Sequence, residues 1–303
     1  MVISSHSSHI AKEVDFKDLR YFKRIAPIDK CSIPTSSVIN LSGVFGTDDD
    51  TTRFITRYIQ TTHCDLFFAD AVILVEGAAE YMLVPHFIRE NYPELNERYI
   101  SILEINGRHS QRLKPLIEKL CLPTLIITDI DSGKSDGHHS HTIPKRNKGI
   151  ISTNYAITKW IINEDSLDTL LDLPENKKIL ELCTPYNFKI RMAFQTPIKF
   201  NYYGTDVEAI ASTFEDCLVY TNFELFKSTD GEGLINSIHE LCNDNLKFED
   251  FNNEIYELFR GKNVPKAEFA LDLIYSIDPN ELKVPKYIDC GLRWLQELLI
   301  NRD

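Results

Sequence analysis

Several charged residues in this sequence stand at the ends of apolar runs, where solvation alone would not place them. The first stretch is Ala71-Val72-Ile73-Leu74-Val75-Glu76-Gly77, with a second carboxylate at Glu80. A run this short and apolar reads as a fully buried parallel strand. In open α/β sheets, ligands bind at the carboxyl ends of such strands. Glu76 therefore stands where chemistry is usually done, Gly77 allows a sharp turn, and Glu80 lies one helical turn beyond. On this stretch alone a structural and a functional reading stand level. A second stretch, 123–132, breaks the tie: it is another buried strand ending in carboxylates, Asp129 and Asp131. Residues two apart point to the same side of an extended chain. Further on, Glu215 and Asp216 are adjacent in the otherwise apolar helix 211–219. Carboxylates near a core are costly unless they coordinate a metal or gain hydrogen bonds. Neighbouring helical residues diverge by about 100°, so only one of these two acids can face a given partner squarely. Lys266 opens a helix, the end that the dipole disfavours for a cation. It is either an exposed lysine or one with a partner elsewhere.

These residues need a scaffold that brings them to one edge. A third apolar strand, 100–105, lies between the two acidic ones, and the runs 78–89 and 110–120 read as helices. Right-handed crossovers in this strand–helix–strand–helix–strand order place all the strand tips on one side of a parallel sheet. Outside it, residues 1–10 read as a strand entering a polar loop and 16–25 as an edge strand. Residues 27–40 read as a loop, 48–63 as a helix and 191–197 as a further strand. From Val207 onward the pattern is mostly helical, with the last helix beginning near Val284. The polar stretch 132–148 carries His138, His139 and His141, then Lys145, Arg146 and Lys148. Three readings stand for it: a histidine metal site, a mobile loop whose basic end meets DNA phosphates, or a plain solvated loop.

Composition narrows the classes. With 303 residues the chain is long enough for two ordinary domains or one large one. A net charge of −12 argues against nucleic-acid binding by bulk positive charge, though not against a DNA enzyme that concentrates acids at a metal site. No apolar run approaches a membrane span and no secretory signal is apparent, so the expected location is cytoplasmic, with no membrane partner. Seven cysteines without pairwise spacing fit reduced core thiols. No glycine-rich phosphate loop of the Walker type occurs, so no complete ATP site is expected.

The glutamate-glycine at Glu76-Gly77 and the Asp-x-Asp at Asp129 and Asp131, in this structural order, are similar to the TOPRIM domain of topoisomerases, primases and certain nucleases. With Ser5-His6-Ser7, Glu80, Ser132, the 212–216 segment, Lys266, and Pro285, Tyr287, Gly291 and Trp294, the sequence resembles the OLD (overcoming lysogenization defect) family. Its members join an N-terminal ABC-type ATPase to a C-terminal TOPRIM nuclease. The resemblance implies an α/β fold: a parallel-sheet, Rossmann-like TOPRIM domain with an added, mostly α-helical domain. It divides the chain into an ATPase remnant and linker at 1–64, a TOPRIM core with a polar loop insertion at 65–205, a helical domain at 206–262, and C-terminal helices at 263–303 that complete the active site. His6 would be the switch histidine of the ATPase, whose missing front is the expected partner. Dimerisation through that part would leave this chain alone a monomer.

The resemblance also implies cleavage of DNA phosphodiester bonds with two divalent ions, in phage defence or DNA processing. Hard oxygen donors without a histidine–cysteine set suit Mg2+ or Mn2+, and two ions about 4 Å apart serve an in-line displacement. Glu76, Asp129, Asp131 and Glu215 are the expected metal ligands. Glu80 and Ser132 would join directly or through water, and Asp216 is the remaining candidate. Lys266 would stabilise the charged transition state or help position the nucleophile. Two rivals are a haloacid-dehalogenase-type phosphatase with Asp129-x-Asp131 as its nucleophile loop, and a non-catalytic TOPRIM module that binds DNA or a partner.

Overall fold

The computed structural model describes residues 2–25, 33, 35–44, 49–105, 110–137, 140–183, 186–261, 264–278 and 280–301. Helix α1 (Ser8–Glu13), the antiparallel pair β1 (Arg20–Ile25) and β2 (Thr35–Asn40), and helix α2 (Asp49–Thr62) come first. The strand expected within 1–10 does not form. Val2 is 99% exposed, and among the described residues no strand pairs with 2–7, so the backbone there has no ladder to join. Conversely, β2 lies in a stretch expected to be loop: Thr35, Val38 and Ile39 supply β-branched residues, and β1 offers them an edge.

The central sheet follows. Strand β3 (Ala71–Val75) leads into helices α3 (Ala78–Asn91) and α4 (Pro93–Asn96), then β4 (Ile100–Glu104), α5 (Ser110–Leu120) and β5 (Thr124–Ile127). From the tip of β5 the chain makes an antiparallel arm, β6 (Ser132–Lys134) with β7 (Ile150–Ser152). A single π-helical turn at Ile157–Ile161 and helix α6 (Leu167–Leu171) lead to β8 (Ile179–Leu182) and β9 (Phe188–Ala193). The strand order is β4-β3-β5-β9-β8, parallel except for the β8–β9 pair. The tips of β3, β5 and β9 therefore share one edge, as the crossover rule requires.

Both faces of this sheet are covered, which explains the continuous apolar runs of β3 and β5. Within β3, Ala71, Ile73 and Val75 enter one core with α3, while Val72 and Leu74 enter the opposite core with α2 and α5. The two-residue period is present but hidden, because water meets neither face. Each fully buried valine, leucine or isoleucine contributes about 1.5–3 kcal/mol, so the strand carrying Glu76 is held firmly from both sides.

After β9 a hairpin forms from β10 (Ile198–Tyr202) and β11 (Thr205–Ala209). Its two-residue turn has positive φ at both Tyr203 (47°) and Gly204 (83°), the geometry that matches strand twist. The expectation of helix from Val207 onward is corrected here: helix begins only with α7 (Phe214–Thr221). Helices α8 (Phe223–Ser228), α9 (Gly233–Asn243), α10 (Phe248–Arg260), α11 (Lys266–Ser276) and α12 (Lys286–Ile300) complete the chain. Helices α7 and α11 pack on α3, and α12 lies against β5 and β9. That approach is close: a Cβ on Gly291 would come within 2.8 Å of Leu125 Cδ1 and 3.4 Å of Ala193 Cβ.

Candidate active site at the sheet edge

Glu76 leaves the tip of β3 and turns toward β5. Its Oε2 accepts hydrogen bonds from Thr128 Oγ1 (2.6 Å), the backbone N–H of Asp129 (2.8 Å) and Asn154 Nδ2 (3.3 Å). Gly77, expected to permit a turn, instead has extended backbone (φ −141°). What it supplies is room: a Cβ there would stand 3.2 Å from Glu80 Oε2. Glu80 is thereby buried in the first turn of α3, only 3% exposed.

The second acidic tip is built differently from its expectation. Strand β5 ends at Ile127, so Asp129 and Asp131 lie beyond the pleat that would have aligned them. Asp131 takes a left-handed backbone (φ 48°), a conformation that aspartate tolerates better than most residues. Its carbonyl accepts from the N–H (2.8 Å) and the hydroxyl (2.9 Å) of Thr153, which fixes the turn. Asp131 Oδ2 accepts from Asn154 Nδ2 (3.3 Å), the amide that also reaches Glu76. Asp129 Oδ1 accepts from Gln195 Nε2 (2.6 Å), and Gln195 Oε1 in turn accepts from the N–H of Ile130 (2.8 Å).

From the helical side, Glu215 is buried in the first turn of α7, and its Oε2 accepts from Lys266 Nζ at 2.8 Å. The Glu215 side chain is only 2% exposed, whereas that of Lys266 keeps 35%. The predicted partner of Lys266 is thus a carboxylate of another helix. Asp216 departs from its expected role. Its oxygens accept from the N–H groups of Ser212 (2.8 Å), Thr213 (2.8 Å) and Cys217 (2.9 Å), closing the start of α7. Those donors occupy the carboxylate, as the divergence of adjacent helical residues foreshadowed. Ser132 is buried beside Asp131, with its hydroxyl given to the carbonyl of Thr142 and 3.4 Å from Ser212 Oγ.

Electrostatics ties these groups together. Burial, then the charges of Glu215 and Glu76, push the Glu80 carboxyl up to about 8. Burial, with Glu76 next, raises Asp131 to about 7. Burial and the charges of Glu76 and Glu80 raise Asp129 well above its ordinary value. Glu76 is raised by burial against the opposing hydrogen bonds of Thr128 and Asp129. Burial alone would lower the Lys266 amine, but Glu215, Asp129 and Glu80 outweigh it and hold the amine above its usual range. So Glu76, Glu80, Asp129, Asp131, Glu215 and Lys266 form one electrostatic unit.

The donors of this unit are carboxylate oxygens, the chemistry of a hard divalent cation. As placed, no three carboxylate, imidazole or thiol groups among the described residues converge to hold an ion. Thr128, Asn154, Gln195 and Lys266 hold the acids instead. Burial, and for Glu80, Asp129 and Asp131 also repulsion from neighbouring acids, raises these carboxyls, and a cation would offset both, so the residues fit a metal of this class.

Other predicted residues lie elsewhere. His6 is exposed ahead of α1, and His138 and His139 lie outside the described residues. Arg146, which one of the three readings of 132–148 turns toward phosphates, is taken by Asp172 (2.9 and 3.0 Å) and Glu208 (3.2 Å), and Lys145 by Glu249 (2.9 Å). Thr128, Asn154 and Gln195 had no role assigned from the sequence. The strand-tip rule that marked Glu76 would have marked Gln195, just past the end of β9. The neutral amide of Asn154 carries no such signal.

A profile of the family described as "Overcoming lysogenization defect protein-like, TOPRIM domain" matches residues 67–131. Residues 67–131 are an OLD-like TOPRIM domain. The match ends on Asp131 and so spans both acidic strand tips of the TOPRIM sheet. The chain is also 30% identical over 253 residues to Endonuclease GajA of Bacillus cereus (strain HuB5-5), covering 82% of this chain and 34% of the relative. It thus spans about a third of the length of the curated relative it matches. Among solved structures, the C-terminal region of the Burkholderia pseudomallei OLD protein is 17% identical with a TM-score of 0.45, covering 77% of this chain and 99% of that one. The C-terminal region of the Xanthomonas campestris pv. campestris OLD protein is 18% identical with a TM-score of 0.40, covering 78% and 97%. Among the described residues, no helix is long and apolar enough to cross a membrane.

Proposed function

We propose that this chain is the nuclease part of an OLD-type ATPase–nuclease: a divalent-metal-dependent DNA endonuclease that uses two Mg2+ or Mn2+ ions. The observation that carries this reading is the all-carboxylate cluster at the tips of β3 and β5, closed by Glu215 and one lysine. The name of the GajA relative, an endonuclease, supports cutting within a strand. Phage defence and an ATPase partner belong to the same proposal.

When bound, the ions supply a lowered pKa for attacking water and stabilise the leaving oxygen. The chain's own residues do the rest. Glu76, Asp129, Asp131 and Glu215 hold the ions, with Glu80 assisting. Asn154, between Glu76 and Asp131, and Gln195, on Asp129, fix the orientation of those acids. Ser132 anchors the turn after Asp131. Asp216 is reassigned to capping α7. Lys266, partly exposed beside Glu215, shifts from neutralising that acid to neutralising charge on the reacting phosphate.

Supercoiled plasmid incubated with Mg2+ or Mn2+ should be cut. Glu76→Ala, Asp129→Ala and Asp131→Ala should each lower the rate by about 10²-fold or more. Variants that cut like wild type would remove the site assignment. Turnover of a phosphomonoester with no action on plasmid would favour the phosphatase reading.

A further inference from the structure

We infer that the groove between the β6–β7 arm and helix α10 seats the phosphate backbone of a DNA strand and leads it to the carboxylate edge, with Lys134 and Lys148 as its main contacts. This rests on the nuclease reading above and adds to it a surface that the cluster itself does not supply. The groove has a volume of about 710 Å³, and Lys134, Lys145, Lys148 and Arg260 line it against Asp136 and Glu257. In a chain of net charge −12, such a local excess of cations stands out.

The four cations are not equivalent. Lys145 is paired with Glu249 (2.9 Å) and Arg260 with Glu257 (3.4 Å). Lys134 and Lys148 are exposed, and among the described residues no carboxylate pairs with either. Unpaired, solvated ammonium groups release counterions on meeting phosphates without first breaking a salt bridge. Of the rings that line it, Tyr256 is 8% exposed and offers no open face for stacking a base, which leaves the single exposed imidazole of His141 beside four cations. The groove therefore suits a backbone rather than bases.

Its position joins it to the acids. Lys134 is two residues along β6 from Ser132, which follows Asp131 directly. Thr142 lines the groove, and its carbonyl accepts the Ser132 hydroxyl. The other strand of the arm returns through Ser152, paired with Ser132, to Thr153 and Asn154. Both strands of the arm are thus rooted in the cluster, and a strand lying along it runs into the site.

The test is fluorescence anisotropy of a short labelled DNA duplex, and of its single strand, with the full chain in Ca2+ across a salt series. Lys134→Ala/Lys148→Ala should weaken Kd by about 10-fold and reduce the slope of log K against log salt by about 2. Lys12→Ala/Lys17→Ala removes the same charge elsewhere and should change Kd by less than about 2-fold. Lys148→Glu should weaken binding further, and each variant should keep the wild-type melting temperature and its rise on adding Mg2+. Binding and slope unchanged in the groove variant, or an equal loss in the control pair, would overturn the groove while leaving a DNA-cutting wild type intact. A wild type that neither binds nor cuts DNA would instead sink the nuclease reading and the groove with it.

Discussion

Among the described residues, Lys266 is the one cation that touches the cluster, and it does so through the buried Glu215. An amine pressed against a carboxylate it neutralises is poor at anything else. If Glu215 held a divalent ion, the amine would be free to turn toward the reacting phosphate, on the side where it is already partly exposed. Lys266→Ala should therefore lower plasmid cleavage by about 10²-fold yet preserve the rise in melting temperature on adding Mg2+. Intact turnover would remove the catalytic role, and a lost thermal response would make the residue structural. At this scale the sequence was readable for the charged groups and opaque for the neutral ones. Glu76, Asp129 and Asp131 announce themselves at the ends of apolar runs. Gln195 and Asn154 are amides that orient those acids: Gln195 stands at a strand tip where the same rule could have marked it, but Asn154 lies in a loop and looks like any solvated loop residue until the fold buries it. Glu215 and Asp216 are adjacent and alike in sequence. Only the cap geometry of α7 tells them apart.

Among the elements, those of the central α/β unit were legible. Strands β3, β4 and β5 and helices α3 and α5 follow from apolar runs and their punctuation. The misses are the half-exposed pairs. Strand β2 needs β1 as its partner, and the β10–β11 hairpin is specified chiefly by a Tyr203-Gly204 turn that reads as irregular chain. Non-local pairing decides these, and local pattern does not contain it. Helix α12 is positioned by a different feature, the missing side chain of Gly291. Gly291→Val would force atoms into Leu125 and Ala193, at a cost of about 2 kcal/mol. The melting temperature should fall by roughly 5 °C. Gly291→Ala should change it much less, because better helix propensity offsets part of the crowding. Equal melting temperatures for the valine variant and wild type would show that α12 does not approach the sheet so closely.

For the molecule as a whole, the cluster makes stability depend on pH. Glu80 titrates near 8 and Asp131 near 7 in the folded protein, against ordinary values of 4.5 and 3.8. Between these limits the folded chain binds more protons than the unfolded one. The contribution of these two carboxyls to stability must then fall as pH rises from about 5 to about 8. Without metal, the melting temperature should drop by several degrees over that span, and Mg2+ should offset most of the drop by binding the ionised acids. Asp216, raised to about 7 within its cap, contributes a drop that Mg2+ does not remove. A flat profile without metal would contradict the burial and the mutual repulsion that raise these carboxyls.

The acids and their lysine lie far apart along the chain, and a polypeptide is made in one direction. Glu76, Glu80, Asp129 and Asp131 leave the ribosome well before Lys266 has been joined to the chain. Until then the strand tips hold negative charge with no built-in cation, so they must stay wet, protonated or bound to metal. A chain released early, before residue 266, would contain the whole matched segment 67–131 and still lack the means to keep its acids both charged and dry. On the nuclease reading proposed above, cutting competence would arrive only once Lys266 has joined the fold beside Glu215.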